Sequence, residues 1–473
     1  MKLSLLSASV FSCDPYGDLR ITSVTDRSDR VIPGSLFVAI PGRTRDGHRF
    51  LSDALAKGAA VLVVSEPVGN LPVPVFRVSD PRSVYARLCG NFYGNPGKSM
   101  TLIGVTGTNG KTSTACMLEY CLRSCGVSTL MIGTVTGAEY GHGSMTTPDP
   151  LDLHRIFSDA LKAGKTHAVM EVSSQALDQS RTAGMEFDLG VFTNLSVDHL
   201  DYHGSMQAYR DAKLKLFSQC RKGLVNADSD YAAPFLALPG VSSFSASHAA
   251  DFRAERVYMT GEGVSYSLRS PSGRREVFLP VWGRFSIYNS LAALAAAELL
   301  GLDPDRCVRA LSGFPGVPGR MEPIRTDLPF RLMIDYAHTP DGLENLLRSV
   351  RETTKGRVIA VFGCGGDRDR GKRPEMGRIA TRYADLAVVT SDNPRSEDPM
   401  KIIEEILAGA EGEKVRVVPD RKEAIRFALR AAAPGDAVIL AGKGHERWQI
   451  FADGSVRCDE REIAQEILKE EGY

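Results

Sequence analysis

Short apolar runs alternate with amphipathic stretches along almost the whole chain. Up to residue 97, β-rich runs at 21–25, 35–40, 61–64 and 73–78 alternate with helical patterns at 50–60 and 82–93. Gly94-Asn95-Pro96-Gly97-Lys98 is dense in turn formers and reads as a linker. A second block opens with the apolar strand 101–106 and runs through strands and helices to about residue 311. Its most apolar stretch, 291–300, contains Glu298 and reads as a buried helix, well short of the ~18 apolar residues of a membrane span. Gly313-Phe314-Pro315-Gly316-Val317-Pro318-Gly319 makes a second linker. Beyond it, strands at 331–335, 357–362, 386–390, 415–418 and 437–440 alternate with helical stretches. Such βα alternation implies mostly parallel sheets with helices on both faces. No repeat or low-complexity tract is visible, which sets solenoids and disordered scaffolds aside.

The strongest chemical signal is Gly104-Val105-Thr106-Gly107-Thr108-Asn109-Gly110-Lys111-Thr112-Ser113, where a strand enters a glycine-rich loop and a helical pattern leaves it. Glycines let backbone wrap a phosphate chain, and the helix N-terminus aims its N–H groups at the anion. Lys111 would reach the outer phosphates of a nucleoside triphosphate, and the Thr112 hydroxyl would face Mg²⁺. Val105 stands where the usual pattern has its first glycine. Glu171 closes another apolar run, and Asn194 to His203 gathers metal-capable groups after a further strand. Both suit the strand ends where α/β ligand sites collect.

In the third block four polar loops follow strands: Asp335 to Pro340, Gly363 to Arg370, Ser391 to Arg395 and Gly442 to Glu446. Each is expected to lead into a helix. Any one could be an ordinary turn, but together they suggest one face rich in Arg, Lys and Asp, suited to clamping a zwitterion through its carboxylates. The expected fold is therefore α/β with three domains: a smaller α/β N-terminal domain (1–97), a central P-loop parallel-sheet ATPase domain (98–318) and a Rossmann-like C-terminal domain (319–473).

Composition narrows the functional classes. The chain has 473 residues, 43% of them hydrophobic, with 57 basic against 57 acidic side chains. Zero net charge argues against coating nucleic acid or a membrane surface. The nine cysteines are scattered without a CxxC pair, so reduced thiols in a cytoplasmic enzyme are expected rather than a zinc site. Lys2, a short apolar run and Cys13 imitate a lipoprotein leader, but the run is short and strands follow it. A P-loop also occurs in kinases, transporters and GTPases, although no guanine-reading Asn/Thr-Lys-x-Asp motif is apparent.

Taken together, the motifs resemble the Mur ligase family over essentially the whole chain. Thr106 to Thr112 looks like its ATP loop. Glu171-Val172-Ser173-Ser174, Thr193-Asn194-Leu195 with Asp198 to His203, Pro318 to Glu322, Asp335 to Pro340 and Gly442 to Glu446 follow in the family's order. The resemblance is greatest to members that add a diamino acid to UDP-N-acetylmuramoyl-L-alanyl-D-glutamate, with ATP and Mg²⁺. Lysine-adding members, folate-type polyglutamate ligases and a regulatory P-loop ATPase are the alternatives.

The resemblance implies residue roles. Gly107, Thr108, Asn109, Gly110, Lys111, Thr112 and Ser113 would bind ATP phosphates, with Asn289 at adenine and Arg320 and Asp335 at the γ-phosphate and ribose. Thr112, Glu171, His199 and a carbamylated Lys213 would hold the metal. Lys111, Lys213 and Arg320 would be catalytic. Ser28, Arg43, Thr44, Arg45, Thr146, Thr147, Ser173, Gln179 and Arg181 would hold the UDP-sugar peptide. Arg368, Asp392, Asn393, Pro394, Arg395, Gly442 and Glu446 would bind diaminopimelate; lysine-adding members typically lack the arginine matching Arg395. The family's Asp-Ser-Arg reads Arg27-Ser28-Asp29 here, Met145 replaces an Asn, and Ser286 replaces the Asn of Phe-Asn. A cytoplasmic monomer acting on small molecules, with no nucleic-acid or membrane partner, is expected.

Overall fold

The strand runs of the first block become a parallel four-stranded sheet of order β1-β2-β3-β4: β1 (Ser23–Thr25), β2 (Ser35–Val38), β3 (Ala59–Val64) and β4 (Val75–Arg77). The computed structural model describes every residue except 43, 44, 138–144, 261, 325–327 and 473. The period of two along a strand sends alternate side chains to opposite faces. Val24, Leu36, Val38, Val61 and Val63 accordingly meet Tyr85 and Leu88, whereas Phe37, Leu62 and Val64 meet Leu51 and Ala54. The helix expected over 50–60 is shorter, Leu51–Ala56, because Gly58 turns left-handed (φ 88°) and hands the chain to β3.

The second sheet has nine strands, in the order β13-β12-β11-β10-β9-β8-β5-β7-β6. They are β5 (Thr101–Thr106), β6 (Thr129–Ile132), β7 (His167–Glu171), β8 (Phe187–Phe192), β9 (Cys220–Asn226), β10 (Val241–Ser245), β11 (Phe252–Met259), β12 (Val264–Ser270) and β13 (Gly273–Leu279). β5, β6 and β7 pair in parallel, as expected. β11, β12 and β13 are antiparallel, which the expectation of a parallel sheet missed. The turns between them are too short for a helical crossover, and only a hairpin fits. The apolar stretch near 291–300 lies in the helix Arg284–Leu299, buried from Leu291 to Ala297.

The third sheet has the order β14-β15-β19-β16-β17-β18. Its strands are β14 (Glu322–Pro323), β15 (Arg331–Asp335), β16 (Val358–Phe362), β17 (Leu386–Val389), β18 (Val415–Val417) and β19 (Ala437–Ala441). All pairs from β15 to β18 are parallel. Val358, Ala360, Phe362 and Ile439 face one core, and Ile359, Val361, Val438 and Leu440 the other. Three of the four polar loops lead into helices, beginning at Pro340, Lys372 and Pro399. The fourth, Gly442 to Glu446, leads instead into a hairpin of β20 (Trp448–Phe451) and β21 (Gly454–Arg457). None of the nine cysteines forms a disulfide.

The chain forms two compact units. One comprises Met1–Thr106, Gly126–Val191 and Asp211–Gly223; the other comprises Gly107–Cys125, Phe192–Arg210 and Leu224–Tyr473.

Two glycines in the second unit set how closely helices pack under the loop that carries Arg368. A Cβ on Gly377, in the helix Lys372–Tyr383, would lie 2.1 Å from the Ile406 carbonyl oxygen at the end of the helix Pro399–Leu407. A Cβ on Gly409 would lie 1.9 Å from the Pro374 carbonyl oxygen. Alanine is the better helix former by about 1 kcal/mol, but overpacking against backbone costs about 1–3 kcal/mol. Gly377→Ala is therefore expected to lower the urea midpoint of unfolding; an unchanged or raised midpoint would show that the helices can separate without cost.

Candidate active site

In the second unit the phosphate loop is gripped from outside. Gly107 (φ 151°) and Gly110 (φ 82°) occupy backbone that L side chains rarely adopt. Each also lacks room for a Cβ, which would lie 1.9 Å from Thr193 Oγ1 at Gly107 and 2.4 Å from Asn289 Oδ1 at Gly110. Thr108 N–H donates to the Asn194 carbonyl (2.9 Å), and Asn109 N–H to Asn194 Oδ1 (2.9 Å). The Asn109 carbonyl accepts from Thr193 Oγ1 (2.6 Å) and Asn194 Nδ2 (3.0 Å). Asn226 Nδ2 in turn donates to the Thr193 carbonyl (2.8 Å). Lys111 and Thr112 open the helix Lys111–Ser124, with Ser113 following, and Lys111 Nζ lies 2.9 Å from both the Gly107 and Thr108 carbonyl oxygens. Asn289 is buried beside Gly110, with the Thr114 hydroxyl 3.4 Å from its Oδ1.

Arg320 Nη2 donates to Thr112 Oγ1 (3.2 Å), and the guanidinium lies over the Tyr336 ring, 4.6 Å from its centroid. Its buried Nε–H has no partner among the described residues, so one donor remains for an arriving anion. The turn that carries Arg320 is pinned by Asp335 at the end of β15. Its oxygens accept from Met321 N–H (2.7 Å) and Ala337 N–H (2.8 Å), and Met321 sits at φ 46°. Burial pushes the Asp335 carboxyl pKa up, against Arg320 and those two peptide groups. Asp335 thus supports Arg320, a task its reading as a ribose contact did not include.

Around this turn lie charges of both signs. Burial holds His338 and His445 neutral, each at about 4, with Lys372 adding to the effect at His338 and Arg320 at His445. Burial works to raise Asp198, but His199, His338 and Lys372 outweigh it and hold that carboxyl below its usual range. His199 Nε2 lies 3.4 Å from Asp198 Oδ2.

The loops expected to bind the amino acid converge within this unit. Asn393 Nδ2 donates to Glu446 Oε2 (2.8 Å), and Arg395 Nη1 to the Gly366 carbonyl (2.8 Å). Burial lowers the pKa of half-buried Arg395, and Arg368 adds to the shift. Gly442 (φ 112°) leaves room for Asp392, whose Oδ2 would be 2.8 Å from a Cβ there. Three buried cations hold these loops, and the sequence reading gave none of them a role. Lys443 Nζ reaches Asn393 Oδ1 (3.2 Å), Glu446 Oε2 (3.3 Å) and the Trp448 carbonyl (2.8 Å). Arg421 pairs with Glu460 (2.8 Å) and approaches Asp392 (3.8 Å). Arg373 pairs with Glu397 and Glu405 (2.8 Å each) and donates to the Gly365 carbonyl (3.2 Å). Their long charged side chains look like solvent-facing residues in a sequence. Only Lys443 had a signal, inside its glycine motif.

In the first unit Thr146, Thr147, Ser173, Gln179 and Arg181 form one patch. Thr147 Oγ1 donates to the Glu171 carbonyl (2.9 Å) and accepts from Ser173 N–H (3.0 Å). Arg181 donates to the Thr147 carbonyl (2.7 Å) and to Gln179 Oε1 (2.8 Å), and its Nη1 lies 3.5 Å from Met145 Sδ. Thr146 Oγ1 is 3.4 Å from Thr134 Oγ1. Arg27 and Asp29 pair with each other across Ser28 (2.6 Å), so the exchanged residues keep an ion pair there. Arg45 lies in a loop; Arg43 and Thr44 fall outside the described residues. Glu171, buried at the end of β7, accepts from Thr134 N–H (2.8 Å). Gly133 makes room for it, since a Cβ there would lie 2.2 Å from Glu171 Oε1. Lys213, on the helix Met206–Phe217, is only 1% exposed and is no ordinary surface lysine. Among the described residues no three His, Cys, Asp or Glu side chains are grouped to hold a metal.

Residues 20–93 match the Mur ligase family catalytic domain, 105–297 the Mur ligase middle domain, and 319–444 the Mur ligase glutamate ligase domain. A UDP-N-acetylmuramoyl-L-alanyl-D-glutamate--2,6-diaminopimelate ligase from Halalkalibacterium halodurans is 44% identical over 465 residues, 96% of each chain. The chain belongs to the Mur ligase family. A ligase of the same name from Clostridium botulinum is 38% identical, over 99% of this Mur ligase and all of its own length. A solved structure of a ligase of that name superposes over the full length of both chains, with a TM-score of 0.70 and 31% identity.

The Arg373 clamp makes the second unit sensitive to acid. The Arg373 guanidinium holds the Glu397 carboxyl down at about 2. A depressed carboxyl contributes stability above its unfolded pKa, near 4.5, that is lost as pH falls through about 2. Glu397→Gln is expected to cost about 1–3 kcal/mol at pH 7, with the gap to the parent narrowing below pH 4. Denaturant melts at pH 7, 4 and 3 would read it; a gap independent of pH would remove the ion pair as its cause.

Proposed function

We propose that this Mur ligase joins meso-2,6-diaminopimelate to the D-glutamate γ-carboxylate of UDP-N-acetylmuramoyl-L-alanyl-D-glutamate, at the expense of ATP. The observation that carries this reading is the placement of Arg395 and Asn393. The Gly366 carbonyl, Lys443 and Glu446 hold their loop, gathering guanidinium, carboxylate and amide groups. Diaminopimelate differs from lysine by a second carboxylate on the carbon bearing the distal amine. Arg395, with Arg368, would grip that carboxylate, while Asp392 and Glu446 would face the ammonium and Asn393, Pro394 and Gly442 would shape the loop. The names of the 38–44% identical relatives support the same choice.

A carboxylate is a poor electrophile at neutral pH, so it must be phosphorylated first. The γ-carboxylate oxygen attacks the ATP γ-phosphorus and ADP departs, leaving an acyl phosphate. The incoming amine attacks the acyl carbon, phosphate leaves, and the nitrogen loses its extra proton. Gly107 to Ser113 would cradle the phosphates, with Asn289 at adenine and Asp335 at ribose. Lys111 and Arg320 would neutralise charge on the transferring phosphoryl group, and the spare Arg320 Nε–H favours that role. Ser28, Arg43, Thr44, Arg45, Thr146, Thr147, Ser173, Gln179 and Arg181 would hold the UDP-sugar peptide.

Oxygen donors such as the Thr112 hydroxyl and the Glu171 carboxylate suit a hard cation. Thr112, Glu171, His199 and Lys213, carbamylated to an oxygen ligand, would hold Mg²⁺. The ion would offset phosphate charge. Its ATP and UDP-linked substrates favour a cytoplasmic enzyme, which we read as a monomer acting on small molecules without nucleic-acid or membrane partners. No described helix is long and apolar enough to cross a membrane.

Phosphate release with the UDP-muramoyl dipeptide, comparing meso-diaminopimelate, L-lysine and L-ornithine, tests the reading. With lysine bound, Arg395 would keep its carbonyl partners but lack a carboxylate counter-charge, which should cost lysine about 2–5 kcal/mol, or roughly 30- to several-thousand-fold in kcat/KM. Arg395→Ala should lose most diaminopimelate activity. Equal use of lysine, or full activity in that variant, would overturn the substrate. Lys213→Ala should be nearly inactive and partly rescued by short-chain carboxylates; full activity in CO₂-depleted buffer would remove Lys213 from the mechanism.

A further inference from the structure

Asp341 lies in the first turn of the helix Pro340–Thr353, behind the N-cap Thr339, whose hydroxyl accepts from Gly342 N–H (3.1 Å). A helix N-terminus favours a carboxylate, and Asn345 Nδ2 fixes Asp341 Oδ1 at 2.9 Å. The other oxygen points away from its own helix. Asp341 Oδ2 accepts from Asn109 Nδ2 (2.7 Å) and Ser196 Oγ (3.0 Å). Asn109 Nδ2 and Ser196 Oγ are themselves 3.4 Å apart, which closes a triangle.

The two donors belong to the two segments that shape the phosphate cradle. Asn109 is the loop residue whose main chain Thr193 and Asn194 already hold. Ser196 N–H donates to Thr108 Oγ1 (3.1 Å), so the loop after β8 is tied to the neighbouring residue as well. The helix that carries Asp341 follows β15, whose last residue, Asp335, pins the Arg320 turn. A single carboxylate therefore joins the segment after β15, whose Asp335 pins the Arg320 turn, to the loop that would hold the phosphates.

We infer that Asp341 is a positioning residue for phosphoryl transfer. Its bonds to Asn109 and Ser196 register the Arg320-bearing segment on the phosphate loop, so that Arg320 and Lys111 face the same phosphoryl group. Asp341 touches no reacting atom and acts only through Asn109 and Ser196. The inference rests on the ATP-dependent reaction proposed above.

The test uses the full chain and amino-acid-dependent ADP formation. Failure of the parent enzyme to form ADP with diaminopimelate would overturn the proposed function; an active parent isolates the role of Asp341. Asp341→Ala should lower kcat about 10- to 100-fold while KM for the UDP-muramoyl dipeptide stays within twofold. Asp341→Asn should recover most of the loss, because its amide oxygen can face Asn109 and Ser196 while Asn345 flips to offer its own oxygen. Ser196→Ala should lower kcat by less, and adding it to Asp341→Ala should do no further harm, since the shared contact is already gone. A near-normal kcat in Asp341→Ala, no recovery in Asp341→Asn, or losses that multiply in the double variant would each overturn the inference. If Asp341→Ala fails to fold, Asp341→Asn and Ser196→Ala still decide: near-parental kcat in the first with a reduced kcat in the second supports the contact, and any other pattern overturns it.

Discussion

The phosphate loop is braced largely from outside itself, and much of the active site follows from that constraint. Two of its glycines adopt left-handed backbone with no room for a side chain, and such backbone is entropically costly to fix. Hydrogen bonds from elsewhere must offset that cost. Thr193 and Asn194 provide them, gripping Asn109 at both its N–H and its carbonyl. Asn226 braces Thr193 from a further strand. The sheet order explains why this works: β8 lies beside β5, so the loops after both strands emerge at the same edge.

A second group of interactions fixes the loops of the third sheet. Arg373, Arg421 and Lys443 are all essentially buried, and burying a charge is unfavourable unless it is paired and hydrogen-bonded. Each meets that condition with a partner far away in sequence: Arg373 with Glu397 and Glu405, Arg421 with Glu460, and Lys443, paired locally with Glu446, with Asn393. Such clamps add little net stability compared with apolar packing. What they confer is a fixed geometry, because breaking one strands a buried charge. For the proposed grip on one extra carboxylate, a fixed Arg395 is worth more than a looser and better-packed core.

The same reasoning separates two kinds of acidic residue. Glu171 and Asp335 both end apolar strands, and both read in the sequence as ligand contacts. Each also accepts from backbone N–H groups of a neighbouring turn, Thr134 for the first and Met321 and Ala337 for the second. A carboxylate has enough lone pairs to do both. Sequence position at a strand end identifies such residues without showing how much of their bonding capacity the fold has already used.

Local pattern was enough for most strands, most helices and the glycine loop. Each of these depends on periodicity or on residues with special backbone freedom, which a sequence displays directly. It was also enough to place Lys111 at the end of the glycine loop that follows β5 and Arg395 on the loop that follows β17. Local pattern was not enough for the antiparallel β11–β13, since short apolar runs look alike in either direction and only the turn lengths chose between them. Nor did it reveal the hairpin after Gly442 to Glu446, or that Arg373, Arg421, Lys443 and Asp341 act as tethers. A charged side chain gains such a role from a partner dozens to hundreds of residues away, and that distance is closed only when the chain folds.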